Sequence, residues 1–197
     1  MSVLRERCFA LDFLQKLLLM KKLRMEKGEI MLLESRLTLT PVEVSTTLTS
    51  FLMERKEDIP RVYEEIRVAL REGWSKTVRE FYKPQPLDYM LMMFEIGSIT
   101  GWGESHLLSF DADSLSGSLQ TFDAPISEAL KGKATVHADV FWRAQGAGVS
   151  STIFGKDMDW FETKCLAVGD SVCEFHFMPR DSLKRSEYAA KYPGQVP

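Results

Sequence analysis

Residues 2 to about 26 contain neither glycine nor proline, and Leu4, Cys8, Leu11, Leu14 and Leu18, with Phe9, Phe13 and Leu17 beside them, recur at helical spacing. The pattern predicts an amphipathic helix with a broad apolar face and a basic far end at Lys16, Lys21, Lys22 and Arg24, closed by Lys27-Gly28. Glu29 to Leu39 then alternates loosely through Ile30, Leu32 and Leu37, as a strand or an extended lead-in. Thr40-Pro41-Val42-Glu43 has an N-cap residue, proline at the first helical position and a reciprocal capping carboxylate, so a helix is predicted to about Met53. Asp58 and Pro60 open another, whose apolar face runs through Val62, Ile66, Leu70 and Trp74 to about Tyr82. After Pro84 and Pro86, Leu87 to Ile96 reads as helix with Gly97 as its end signal.

The period then changes. Gly101 to Phe110 and Leu115 to Phe122 alternate as a hairpin around Asp111 to Ser114, and Ala124-Pro125-Ile126 opens a short helical turn reaching Leu130. Val140 to Phe154 is predicted as helix, with Ala144, Gly146, Ala147 and Gly148 small enough to admit another backbone. Phe161 to Phe177 reads as two strands joined at Gly169-Asp170. Past Pro179 the apolar signal fades, and Lys191-Tyr192-Pro193-Gly194 reads as a frayed tail. This order predicts an α+β fold, a twisted antiparallel sheet packed on helices.

Composition changes little in that picture. At 197 residues, 45% hydrophobic and 27% charged, the chain is long enough for a full core without disulfide staples. A formal charge of −3 gives no global pull toward nucleic acid, so no direct nucleic-acid partner is expected. Asp12, Lys16, Lys21, Lys22 and Arg24 interrupt the N-terminal stretch well short of the ~20 apolar residues of a membrane span. Three cysteines, Cys8, Cys165 and Cys173, are too few for a secreted disulfide framework, and a cytoplasmic location is expected.

The candidate chemistry lies in the last hairpin. Folding about Gly169 opposes Cys165 and Cys173, with Cβ atoms about 4.5–5.5 Å apart, where two thiols can hold a metal ion, close a disulfide, or simply be buried as small apolar residues. Glu162 completes an E-x-x-C-x7-C pattern, although three residues of regular strand would turn it and Cys165 to opposite faces unless a bulge intervenes. A closed zinc site needs a fourth ligand, and His137 and Asp139 lie just ahead of the Val140 helix. Trp102, Phe141, Trp142, Phe154 and Trp160, with the methionines around Met92, are core candidates that could also line an apolar pocket. Gly146-Ala147-Gly148 and Gly101-Trp102-Gly103 do not extend to a dinucleotide fingerprint.

Phe141-Trp142-Arg143-Ala144-Gln145-Gly146-Ala147-Gly148, Phe154-Gly155, Phe161-Glu162-Thr163-Lys164-Cys165 and Ala167-Val168-Gly169-Asp170-Ser171-Val172-Cys173-Glu174-Phe175 together resemble the 4-vinyl-reductase domain family of hydrocarbon-binding proteins. Gly101-Trp102-Gly103 and Asp123-Ala124-Pro125-Ile126 extend the likeness, which spans roughly residues 30 to 178. The resemblance implies the α/β plait shared with the sensory halves of aromatic-responsive transcription activators and, more distantly, with vesicle-tethering subunits. In those sensors zinc sits beside a phenol-type pocket, which implies ligand roles for Glu162, Cys165 and Cys173. Their remaining cysteine ligand falls, without gaps, on Asp139, so either Asp139 substitutes or His137 takes over.

The organisation expected is an N-terminal helix (1–28) for packing or dimerisation, a ligand-binding domain (29–180) and a C-terminal tail (181–197). The function expected is binding or sensing of a hydrophobic small molecule by a homodimer with non-catalytic zinc. A tethering module without ligand and a vinyl-group reductase are the alternatives.

Overall fold

The computed structural model describes residues 15–33, 35–80, 85–192 and 194–195. Its centre is a four-stranded antiparallel sheet in the order β4-β5-β7-β6, formed by β4 (Glu104–Asp111), β5 (Ser116–Phe122), β6 (Met158–Lys164) and β7 (Cys173–Pro179). The predicted hairpin of β4 and β5 is present, paired from Glu104↔Phe122 to Asp111↔Ser116. One sheet face carries Leu119, Met158, Trp160, Phe175 and Phe177, all fully buried. Against it packs α6 (Val140–Phe154), and on α6 in turn lies α3 (Ile59–Glu80), while α4 (Pro86–Ile99) contacts β4 and α6.

The small residues of α6 make this layering possible. A Cβ on Gly146 would stand 2.6 Å from the Trp160 ring, and one on Gly148 would meet the Arg67 carbonyl of α3. The helix thus has a strand side chain against one side and another helix's backbone against the other.

A smaller sheet precedes this core. β1 (Leu23–Glu26), β2 (Glu29–Leu32) and β3 (Ser35–Leu37) form an antiparallel meander with Leu23↔Leu32 and Met25↔Ile30 paired. Here the structure departs from the long predicted helix. Residues 1–14 of that prediction lie outside the described residues, α1 is helical over 15–19, and the chain turns at Lys21 (φ 54°) into β1. Leu23 and Met25, two residues apart, share a face on a strand and not on a helix, and the turn at Gly28 (φ 82°) lets them pair with Leu32 and Ile30. Leu17, Leu32 and Leu33 pack with Ile96 of α4 in a satellite core.

Other boundaries shift for local reasons. The helix predicted from Pro41 is α2 (Val42–Glu54), capped by Pro41 without any side-chain hydrogen bond, so Thr40 and Glu43 form no capping box. A reciprocal box appears at Gln85 and Asp88, opening α4. Gly97 does not end α4, because the Trp142 ring lies where its Cβ would be, and the helix runs on to Ile99. Asp58 closes a short 3-10 turn (Lys56–Asp58) and pairs with Arg55 at 2.8 Å. The helical turn at Ala124 is α5 (Pro125–Ala129).

The chain still forms helices past Pro179, where the apolar signal fades. α7 (Arg180–Lys184) and α8 (Glu187–Lys191) cross the outer face of the sheet. Tyr188 lies 4.5 Å from the Phe161 ring and 5.4 Å from His176, centroid to centroid. Phe161 is fully buried by this cover, and Leu183 is fully buried as well. Tyr188 and Tyr192 suffice in this polar stretch, because the outer face offers the Phe161 ring, with His176 beside it, for them to cover.

Candidate metal centre and apolar cleft

The sequence pattern places Glu162 and Cys165 three residues apart, a spacing that opposes them on a regular strand. The β6–β7 register shifts by one residue between Glu162↔Phe175 and Lys164↔Glu174, so Thr163 forms a bulge. Glu162 and Cys165 are consequently both buried, while Lys164 is exposed. The link between the strands is longer than a two-residue turn. Cys165 leads into a 3-10 turn (Leu166–Val168) ended by Gly169 at φ 110°, and Asp170 Oδ2 accepts from the Cys165 N–H at 2.8 Å.

Asp139 stands at the N-cap of α6 but makes no capping hydrogen bond with its side chain. Its carboxylate turns instead toward the hairpin. Ligand atoms of Asp139, Glu162, Cys165 and Cys173 all lie within 4.8 Å of one another, every residue is buried, and together they could hold a metal ion. His137 does not join them: its Nδ1 lies 2.8 Å from both the Glu162 carbonyl oxygen and Gln195 Nε2. Both cysteines are free thiols.

Donors surround the cluster. Ser127 of α5 donates to Asp139 Oδ2 at 2.6 Å and lies 3.3 Å from Cys165 Sγ. The Ala138 and Leu166 N–H groups donate to Cys165 and Cys173 Sγ, each at 3.4 Å. The Asp139 N–H donates to one Glu162 oxygen at 3.3 Å, whereas Glu162 Oε1 is buried with no partner. The N-terminus of α6 adds its positive pole, and the buried Arg143 lowers the cost of the Glu162 charge.

Burial first, and neighbouring anions second, set the protonation of the two carboxyls. Burial, then the Cys165 charge, raise Asp139 above the ordinary carboxylate range. Burial, then Asp139 and Cys165, raise Glu162 further. The Cys173 thiol donating to its neighbour pushes Cys165 down to about 5, and the same proton, held between the sulfurs, pushes Cys173 up. A cation inside the cluster would reverse every upward shift.

Gln195 and Arg143 were not signalled by the sequence. Gln195 mimics a neighbouring strand at the β6 edge: its Oε1 accepts from the Glu162 N–H at 2.8 Å and its Nε2 donates to the Glu162 carbonyl at 2.9 Å. Arg143 donates to the Trp160 and Gln195 carbonyls at 3.2 and 3.0 Å and lies over the Tyr63 ring. Ser127 carried a faint signal, as the hydroxyl just after the Pro125-Ile126 helix start.

A cleft of about 640 Å³ lies between the N-terminal meander and the helices, lined by Leu32, Leu37, Leu70, Trp74, Trp102 and Ile126 among others. A smaller chamber of about 40 Å³ lined by Trp142, Gln145 and Gly97 shares Leu70, Trp74, Ile96, Thr100, Trp102 and Gln145 with it. Of the five aromatic pocket candidates, Trp102 lines the cleft and Trp142 the chamber. Phe141, Phe154 and Trp160 line neither. Phe154 stacks on Phe110 and Phe177, and Trp160 fills the notch at Gly146 with its indole N–H donating to Ser150, so both are packing residues.

Sheet order and helical layers define the class: an antiparallel α+β domain of the plait type, with α6, α3 and α4 layered on one sheet face and the short α7 and α8 over the other. Solved structures of this shape include the phenol-responsive sensory domain of the transcription activator PoxR with phenol, with TM-score 0.68, 20% identity, and coverage of 90% of this chain and 93% of that one. A trafficking protein particle complex subunit 3 from Naegleria fowleri, covalently bound to palmitic acid, matches at TM-score 0.52 and 8% identity over 70% and 91% of the two chains. A vinyl-4-reductase family protein from Methanocaldococcus jannaschii matches at TM-score 0.46 and 13% identity over 72% and 82%. At these identities the likeness to the first two is one of fold alone. No family profile matches the sequence, and no curated protein does. Among the described residues no helix is long and apolar enough to cross a membrane.

Proposed function

We propose that this chain is a small-molecule-binding domain of sensory type. In this reading a structural zinc ion held by Asp139, Glu162, Cys165 and Cys173 clamps the final hairpin to the start of α6, and the cleft under the meander takes a hydrophobic ligand. The observation that carries it is α5. Pro125 and Ile126 line the cleft while Ser127, in the same five-residue helix, donates to Asp139 and touches Cys165.

Zinc fits the donor set. Thiolates and carboxylates are both its ligands, and bond lengths of about 2.0–2.3 Å give tetrahedral edges of about 3.3–3.8 Å, within reach of atoms already within 4.8 Å. The orphaned Glu162 Oε1 is the atom such an ion would satisfy. Bound there, zinc supplies cross-linking and charge neutralisation. The surrounding N–H groups, Ser127 and Arg143 offset the negative charge that two carboxylates and two thiolates retain around one divalent ion.

The PoxR domain was solved with phenol, and its fold supports a sensory role here. Exposed apolar residues at Leu18, Leu19, Met20, Leu48 and Phe51 support a homodimer, and a reducing cytoplasm would keep both thiols available. The test combines elemental analysis with thermal unfolding in the presence of small aromatic and aliphatic probes. One zinc per chain, a lower Tm with a strong chelator and a raised Tm with apolar probes are expected. Metal-free protein that no chelator or probe affects would end this reading.

A further inference from the structure

We propose that Gln195 is a positioning residue for the metal centre, and that docking of the C-terminal strap which carries it and filling of the centre favour each other. The inference rests on the reading of Asp139, Glu162, Cys165 and Cys173 as metal ligands. β6 is an edge strand, so half of its backbone groups face no neighbouring strand. At Glu162 the side-chain amide of Gln195 takes that place, accepting from the N–H at 2.8 Å and donating to the carbonyl at 2.9 Å. Its Nε2 also stands 2.8 Å from Nδ1 of His137, two residues ahead of Asp139. One amide therefore touches both segments that bring carboxylates to the cluster. Arg143 of α6 completes the seat by donating to the Gln195 carbonyl at 3.0 Å.

Of the proposed ligands, Glu162 is the one whose side chain is least held by its surroundings. Asp139 receives the Ser127 hydroxyl at 2.6 Å, and each sulfur receives a backbone N–H. The Glu162 carboxylate receives one N–H at 3.3 Å, and its Oε1 has no partner. Its placement therefore depends on its backbone, which stands beside the Thr163 bulge that brings Glu162 and Cys165 together. A pinned backbone presents the carboxylate to the ion in place. An ion gripping Glu162 and Cys165 in turn keeps the bulge, and with it the groups that Gln195 binds. The strap is lightly fastened otherwise. α7 is secured by the fully buried Leu183 and by Arg180, paired with Asp159 and Glu64. α8 has no buried residue, and Tyr188 and Tyr192 rest on the Phe161 ring. A segment with so little burial opens at low cost, so the two hydrogen bonds of Gln195 to Glu162 weigh heavily in whether it docks.

The experiment measures zinc affinity on the full chain by competition with a chelator of known strength, and opening of α8 by amide hydrogen exchange with and without zinc. Gln195→Met keeps the size of the side chain and removes both hydrogen bonds, and it should weaken zinc binding about tenfold or more. A purely structural Gln195 would instead lower the unfolding midpoint of zinc-bound and zinc-free protein alike and leave zinc affinity unchanged. In the wild type, zinc should slow exchange of the Glu187–Lys191 amides about tenfold while those of β4 and β5 keep their rates. In Gln195→Met that effect of zinc on α8 should vanish. Should chelation open β4 and β5 as well, the zinc affinity of Gln195→Met decides alone. Equal zinc affinity in wild type and Gln195→Met, or α8 exchange indifferent to zinc in a wild type that binds it, overturns the role of Gln195 and leaves the metal centre standing. Wild-type protein that takes up no zinc overturns both.

Discussion

Glu162 keeps one carboxylate oxygen unpartnered in the core, beside Asp139 and two thiols, while His137 points its Nδ1 at the Glu162 backbone. The two candidates for a fourth ligand therefore separate by experiment. Asp139→Ala should abolish stoichiometric zinc and remove about 3 kcal/mol, the benefit of a ligand present at roughly a hundredfold its Kd, lowering Tm by about 6–12 °C. His137→Ala should keep one zinc per chain, as elemental analysis will show. The glycines make a second pair. Gly146→Ala drives a methyl into the immobile Trp160 ring, and overpacking of about 1–3 kcal/mol outweighs the helix-propensity gain of roughly 1 kcal/mol. Gly73→Ala meets nothing within 4 Å and should raise stability by about 0.5–1 kcal/mol in denaturant unfolding.

Among the elements, β6 depends on its neighbours at both ends. Arg180 of α7 donates to Asp159 at 2.6 Å and to Glu64 of α3 at 2.6 Å, and Arg67 pairs with Glu64 as well. The Arg67 hydrogen bond, followed by that of Arg180, holds Glu64 at about 2 against an ordinary 4.5. A depressed carboxylate stabilises above its unfolded value, so this contribution is complete near neutrality and is lost as pH falls from about 5 to about 2. Tm measured across that range should decline, and Glu64→Gln should be less stable at pH 7 with a shallower acid limb. At the edge of β6, Gln195→Ala leaves the Glu162 N–H without its partner, a cost of about 1–3 kcal/mol in chemical denaturation.

Over the whole molecule, periodicity carried the central fold because most of its elements bury one clear face. The helix from Val140 to Phe154 and the β4–β5 hairpin are where the pattern puts them. It failed at Leu23–Glu26, where a run without glycine or proline reads as helix although Leu23 and Met25 stand at strand spacing, and pairing with Glu29–Leu32 decides. It failed again after Pro179, where the apolar surface that orders the tail belongs to Phe161, a residue remote in sequence. Residue types and spacing gathered Glu162, Cys165 and Cys173 as candidates and left His137 and Asp139 open as the fourth, but the bulge at Thr163 that aligns the first two is visible only in the paired strands. The cleft was not legible, since the meander that roofs it reads as helix at its start.

The position of α5 has a thermodynamic consequence. A helix of five residues touching the cleft through Ile126 and the metal cluster through Ser127 has too few backbone bonds to settle at one end independently of the other. If ligand and ion both bias where it rests, their binding is linked, and the factor by which zinc changes ligand affinity must equal the factor by which ligand changes zinc affinity. A chelator titration repeated with the cleft saturated would then measure the same coupling as a ligand titration repeated without metal. The two numbers should agree, and on the proposed zinc and ligand sites the free zinc concentration would then be a second input to ligand binding.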